Sequence, residues 1–230
     1  MQHDSNFICW SFSIFMTMLL GFVKFGAEGN INDSYEKEYL YFSPLRSFRS
    51  CKKDQFGRYD PREGNHRIKQ GKKFTVIIDG VEVPFHEIFD NFHVQYQEYQ
   101  DPIPFNICSL YNLDSDKLGV SFDVDERMFC ESPKALIIYN CHKFFQTLDK
   151  SLEEMEVAFS RRSVEYYEHN HFDGDLTLFH KDAFFKYQKE YRILLSTSGA
   201  ESLKVPLPGL KDISIVVDSV QIPRLKFRQE

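Results

Sequence analysis

Apolar positions in this chain fall into short runs separated by polar stretches, not into long periodic arrays. Residues 19–25 (LLGFVKF), 105–113 (FNICSLYNL) and 134–139 (KALIIY) predict buried strands. Residues 39–43 (YLYFS) predict an aromatic strand that Pro44 stops. The Asp79-Gly80 pair between residues 73–79 and 82–84 predicts a hairpin. Further short strands are expected at 164–167 and 212–217. The strongest helical signal is residues 142–159, where Phe144, Phe145, Leu148, Leu152 and Met155 recur at helical spacing on one face.

Weaker signals fill the gaps. Asn30 or Asn32 is placed to cap a helix over 31–37, and Asp123 one over 123–130. Residues 45–52 read as a helical turn with Phe48 inward, and 85–90 as another. Residues 93–100 are polar and aromatic without a clear period. Residues 54–73 and 169–175 read as polar loops. Residues 179–195 (FHKDAFFKYQKEYRILL) read as a short helix turning directly into a buried strand, with Phe184, Phe185 and residues 193–195 as core anchors. These elements predict an α+β fold with a mixed, largely antiparallel sheet and one prominent amphipathic helix. Residues 18–230 are expected to form a single domain, preceded by an extension at 1–17.

Length and composition agree with a sizeable core: 230 residues, 42% of them hydrophobic. The 23 Phe residues point to thick sheet–helix packing. A net charge of -6 argues against general nucleic-acid binding through counterion release. The five cysteines are widely spaced with no CxxC pair, so reduced thiols in a cytoplasmic protein are expected. Residues 7–23 carry no charge and are barely long enough to cross a bilayer. A strand beginning at residue 19 is the preferred reading, so a membrane partner is not expected; a hydrophobic anchor is the alternative. No GxGxxG or GxxxxGK[ST] loop occurs, which removes Rossmann and P-loop nucleotide binding.

Four groups of residues carry possible chemistry. In residues 57–64 (GRYDPREG), Arg58 and Arg62 offer guanidinium forks for phosphate or carboxylate; the alternative is a surface turn of internal ion pairs. Glu190 and Arg192 stand where the late helix feeds its strand, an expensive place for charge unless it is paired or used. A carboxylate there suits a ribose hydroxyl or a developing oxocarbenium ion. The structural alternative is a Glu190–Arg192 or Lys186–Glu190 pair on a sheet rim. His169, His171, Asp173 and Asp175 include metal-ligating types, but a polar turn is the preferred reading. Cys141 and His142 are sequence neighbours, and Cys108 and Cys130 have apolar surroundings, so structural roles are expected for the cysteines.

The succession KFG, YLYFSPLRSFR, GRYDPREG, FNICSLYNL, KALIIYNCHKFF, VEYYE and FFKYQKEYRILL resembles the DUF2971-type proteins of bacteria and phages. The likeness spans about residues 18–217, and its most specific segments are GRYDPREG and YQKEYRIL. The pattern is more distantly similar to ADP-ribosyltransferase toxins, with Lys24 where those enzymes carry His or Arg. The resemblance implies an NAD-using effector of phage defence or toxin type, acting on a macromolecular target. It assigns Arg49, Arg58 and Arg62 to the pyrophosphate, and Tyr41 and Ser43 to the nicotinamide-ribose end. It gives Glu190 the ribose 2′-hydroxyl and the oxocarbenium, with Arg192 orienting it. The competing expectations are a non-enzymatic module binding a ligand or partner in phage–host conflict, and a membrane-tethered effector.

Overall fold

The computed structural model describes residues 18–48, 60–71, 73–89, 94–99, 104–115, 124–130 and 132–225. In chain order the first elements are β1 (Met18–Gly26), α1 (Glu28–Glu36), β2 (Tyr39–Pro44), β3 (Asn65–Gly71), β4 (Thr75–Ile78), β5 (Val81–Pro84) and α2 (Phe85–Ile88). Then come β6 (Val94–Tyr99), β7 (Phe105–Ser115), β8 (Lys134–Ile138) and α3 (Cys141–Glu154). The last strands are β9 (Phe159–Ser163), β10 (Glu165–Tyr167), β11 (Gly174–Asp175), β12 (His180–Asp182), β13 (Glu190–Ser196), β14 (Leu203–Pro206) and β15 (Ser214–Asp218). The fold is α+β, and among the described pairs only β10–β12 is parallel.

An eight-stranded sheet runs β14-β2-β7-β1-β8-β15, with β13 and then β9 branching from β7. Strand β7 is the hub. One edge pairs continuously with β13, from Glu190↔Tyr111 to Ser196↔Phe105. The other edge is shared: β2 takes Asn106 and Ile107, and β1 takes Tyr111 onward. The sheet therefore forks beside residues 108–110. Lys24 Nζ donates to the Ser109 carbonyl there (3.0 Å), giving a partner to an acceptor that no neighbouring strand at the fork takes.

Strand alternation gives the sheet two faces. On one, Phe22, Leu40, Phe42, Leu110, Ile193 and Leu195 pack against Phe144, Leu148 and Leu152 of α3. The opposite face carries two apolar patches. Val23, Phe25, Tyr111 and Leu113 pack with Met128 and Ile222 at one end. Ile107 and Leu194 pack with Leu45 at the other. Ser109, Glu190 and Arg192 share the strand parity of this face and lie between the patches.

Several expected elements shift or change. Helix α3 ends at Glu154 instead of running to 159: Met155 forms its C-cap, Glu156 turns left-handed (φ 55°), and Phe159 opens a strand. Helix α1 starts at Glu28 and its N-cap is Ala27, not Asn30 or Asn32. The cap near 123–130 is Asp125, which accepts from Arg127 N over the short 3-10 turn Glu126–Met128; Asp123 lies outside the described residues. The expected loop 54–73 contains β3, and residues 93–100 contain its partner β6. The segment before β13 is the 3-10 helix Ala183–Gln188. In it Phe185 is buried as expected, but Phe184 is 63% exposed, because the tight three-residue turn sends it outward while Phe185 faces the core. The last strand starts at Ser214, and β14 is an additional strand.

Candidate functional site

A cleft enclosing about 210 Å³ opens on the sheet face between the two apolar patches. Its floor is Ser109 and Ile107 of β7, with Glu190 and Arg192 of β13. One wall carries Tyr41, Ser43 and Phe48; the other carries Lys24, Phe25 and Met128. Asp60, Glu63, Lys181 and Gln188 also line it.

Four buried charges organise this floor: Glu63, Lys181, Glu190 and Arg192. Arg192 donates from Nε to Glu190 Oε1 (2.8 Å) and from Nη2 to Glu190 Oε2 (3.2 Å). It also donates from Nη1 to Glu63 Oε1 (2.6 Å) and from Nη2 to Glu63 Oε2 (3.2 Å). Its last N–H, on Nη1, goes to the Leu178 carbonyl. All five guanidinium N–H groups thus have acceptors, which a group with no exposed surface requires. Glu190 further accepts from Ser109 Oγ at Oε1 (2.6 Å) and from Lys181 Nζ at Oε2 (2.9 Å). Lys181 is steadied by Gln188 Oε1 (2.7 Å). Two carboxylates and two cations balance.

Local structure explains how these side chains meet. Glu190 and Arg192 are alternate residues of β13 and point the same way. The parallel pairing of β10 with β12 sets Lys181 beside Tyr166, whose hydroxyl accepts the Glu190 backbone N–H (2.9 Å). Glu63 sits on a tight turn. There Asp60 Oδ1 accepts Arg62 N (2.8 Å), and the Asp60 carbonyl accepts Glu63 N (3.0 Å).

Burial works against ionisation of Glu190, but the Arg192 and Lys181 charges outweigh it and hold the carboxyl well below its usual range. Arg192 follows the same logic: burial disfavours its charge, yet Glu190 and Glu63 raise its pKa further. Asp60 goes the opposite way. Burial and the neighbouring Glu63 charge push it up to about 6.

Of the residues singled out by sequence, Tyr41, Ser43, Glu190 and Arg192 line this one cleft. Arg62 does not; its guanidinium pairs with Asp182 (3.2 Å). Arg49 and Arg58 lie outside the described residues. The Glu190–Arg192 pair exists, buried instead of on a rim. The lysine partner of Glu190 is Lys181, not Lys186, because the 3-10 segment carries Lys186 away. Asp60, Lys181, Ser109 and Gln188 are additions. For Asp60 the available signal was a carboxylate two residues before Arg62, which forms an Asx-type turn.

Elsewhere, Asp173 pairs with Lys69 (2.9 Å) and accepts Gln70 N, while Asp175 pairs with Arg67 (2.7 Å). Cys108, Cys130 and Cys141 are free thiols; Cys130 is exposed despite its apolar sequence surroundings, and Cys9 and Cys51 lie outside the described residues. Comparison with family models, curated proteins and solved structures gives no match for this chain.

Proposed function

We propose that the cleft is the site of an ADP-ribosyltransferase-like reaction on NAD. The observation that carries this reading is the convergence of Tyr41 and Ser43 of β2 with Glu190, distant from them in sequence, on one cleft. The enclosed 210 Å³ is below the roughly 300–1,000 Å³ of a whole small-molecule site. It suits the nicotinamide-ribose end alone, with the rest of the dinucleotide extending outward.

In this reading Glu190 works as a fixed negative charge. Its ionised state is secured by Arg192 and Lys181, so it stabilises positive charge developing on the ribose as nicotinamide leaves. Its acceptor positions are already occupied, and the Ser109 hydroxyl is the partner that gives way to a ribose hydroxyl, since it can rotate. Arg192, bonded to both carboxylates, fixes the orientation of Glu190. The resemblance gives Arg49, Arg58 and Arg62 to the pyrophosphate, although Arg62 is paired with Asp182. A macromolecular acceptor, and a role in phage defence or as a toxin, rest on the same resemblance.

The test is nicotinamide release from NAD by the full chain. Glu190→Gln is expected to lower it roughly 10²–10³-fold. An unchanged rate in a folded Glu190→Gln protein contradicts the assignment. A second reading, non-enzymatic binding of a polar ligand, is favoured by the four hydrogen bonds that already fill Glu190. It predicts saturable binding without nicotinamide release.

A further inference from the structure

Three carboxylates line the cleft and a fourth, Asp182, stands outside its lining; of the four, all but Asp60 have both oxygens hydrogen-bonded. Glu190 accepts four hydrogen bonds. Glu63 is bonded twice by Arg192. Asp182 accepts from Arg62 and caps Phe184 N (2.9 Å). Asp60 differs. It is 3% exposed, it lines the cleft, and among the described residues its carboxylate accepts only from Arg62 N. An ionised carboxylate has about four acceptor positions, so Asp60 brings spare acceptor capacity to the cleft lining.

We propose that Asp60 is the proton acceptor of the cleft, taking the proton of the nucleophile that captures the ribosyl group. This rests on the transfer reading above and adds the group that reading lacks, because Glu190 is committed to charge stabilisation. With water as the simplest acceptor, the bond between ribose C1′ and the nicotinamide nitrogen breaks. Its electron pair leaves with neutral nicotinamide. A water oxygen lone pair forms the new C1′–O bond, and the water proton passes to Asp60 and then to solvent. NAD and water give ADP-ribose, nicotinamide and one proton.

The charges facing Asp60 tune it for this work. Glu63 from its own turn and Asp182 from β12 make its ionisation harder, and Lys181 from β12 makes it easier. Tyr167 of β10 lies within electrostatic reach, and Arg62 is drawn toward Asp182. The balance leaves a carboxyl that changes state near pH 6, where a general base combines adequate basicity with the correct protonation state.

The experiment is nicotinamide release from NAD by the full chain between about pH 5 and about pH 8, for wild type and Asp60→Asn, with circular dichroism as the folding control. Wild-type kcat/KM is expected to rise through about pH 6 and then level. Asp60→Asn is expected to lose roughly 10²–10⁴-fold and the inflection with it. An Asp60→Asn protein with the wild-type rate and profile overturns the role of Asp60 and leaves the transfer reading standing. A wild type that releases no nicotinamide overturns both. Should Asp60→Asn fail to fold, a wild-type profile without an inflection near pH 6 overturns the role on its own.

Discussion

At the scale of single residues, Arg192 and Asp60 make opposite demands on the fold. Arg192 is buried with all five N–H groups bonded, a geometry that lysine, with three donors on one nitrogen, does not reproduce. Arg192→Lys is therefore expected to cost about 3–5 kcal/mol in urea unfolding, the range for breaking a buried ion network. Asp60 is held in a site that resists its charge, and its pKa is raised from 3.8 to about 6. The folded state binds this proton more tightly than the unfolded chain does. Its stabilising effect is complete below about pH 4 and is lost as pH rises through about 6. At neutral pH the ionised Asp60 thus costs up to about 3 kcal/mol. Asp60→Asn, which keeps the acceptor for Arg62 N, should be more stable than wild type at neutral pH, with the difference vanishing near pH 4. Equal stability at neutral pH would count against a buried, charge-disfavouring site. Glu190 and Arg192 were legible as an anomaly, two charges inside an apolar strand. Their partners were not, because Glu63 is 129 positions from Arg192 and only folding brings it there.

At the scale of elements, legibility followed the apolar pattern. Strands β1, β7 and β8 and helix α3 announced themselves because they bury apolar faces in the main sheet. The β11-β3-β6 sheet did not. Its register pairs Lys69 with Tyr96 and Gln70 with Gln95, and Ile68 is the single fully buried apolar residue of β3. It is tied down by polar contacts, with Gln70 and Gln95 both donating to the His169 carbonyl, so hydrophobic periodicity says nothing about it. The hairpin β4–β5 was visible through its turn instead: Asp79 and Gly80 both have positive φ (49° and 82°), as a type I′ turn requires. The fork at β7 was invisible, since strand order is not written in composition. On its other edge, β1 approaches β8 closely. A Cβ added at Gly21 would stand 2.6 Å from the Ile138 carbonyl oxygen. Gly21→Ala is expected to destabilise by about 1–3 kcal/mol, read as a lower urea midpoint with an unchanged slope. An unshifted midpoint would mean that β1 and β8 pair less tightly than described.

At the scale of the molecule, one sheet separates two environments. Its α3 face is closed by aromatic and aliphatic packing, including Phe22 against Phe144 and Phe145. Its other face holds the cleft between two smaller apolar patches, which keeps the ionic network away from solvent while leaving Tyr41 42% exposed at its mouth. The uncharged stretch 7–23 ends inside strand β1, and no helix among the described residues is long and apolar enough to cross a membrane. Calorimetric titration of NAD into the full chain tests the proposal that the cleft receives NAD, with Ser43→Trp as the variant that fills the cleft from its wall. Saturable binding by wild type is expected, with loss of that binding in a folded Ser43→Trp protein. Absence of saturable binding, or binding that Ser43→Trp leaves intact, would contradict it.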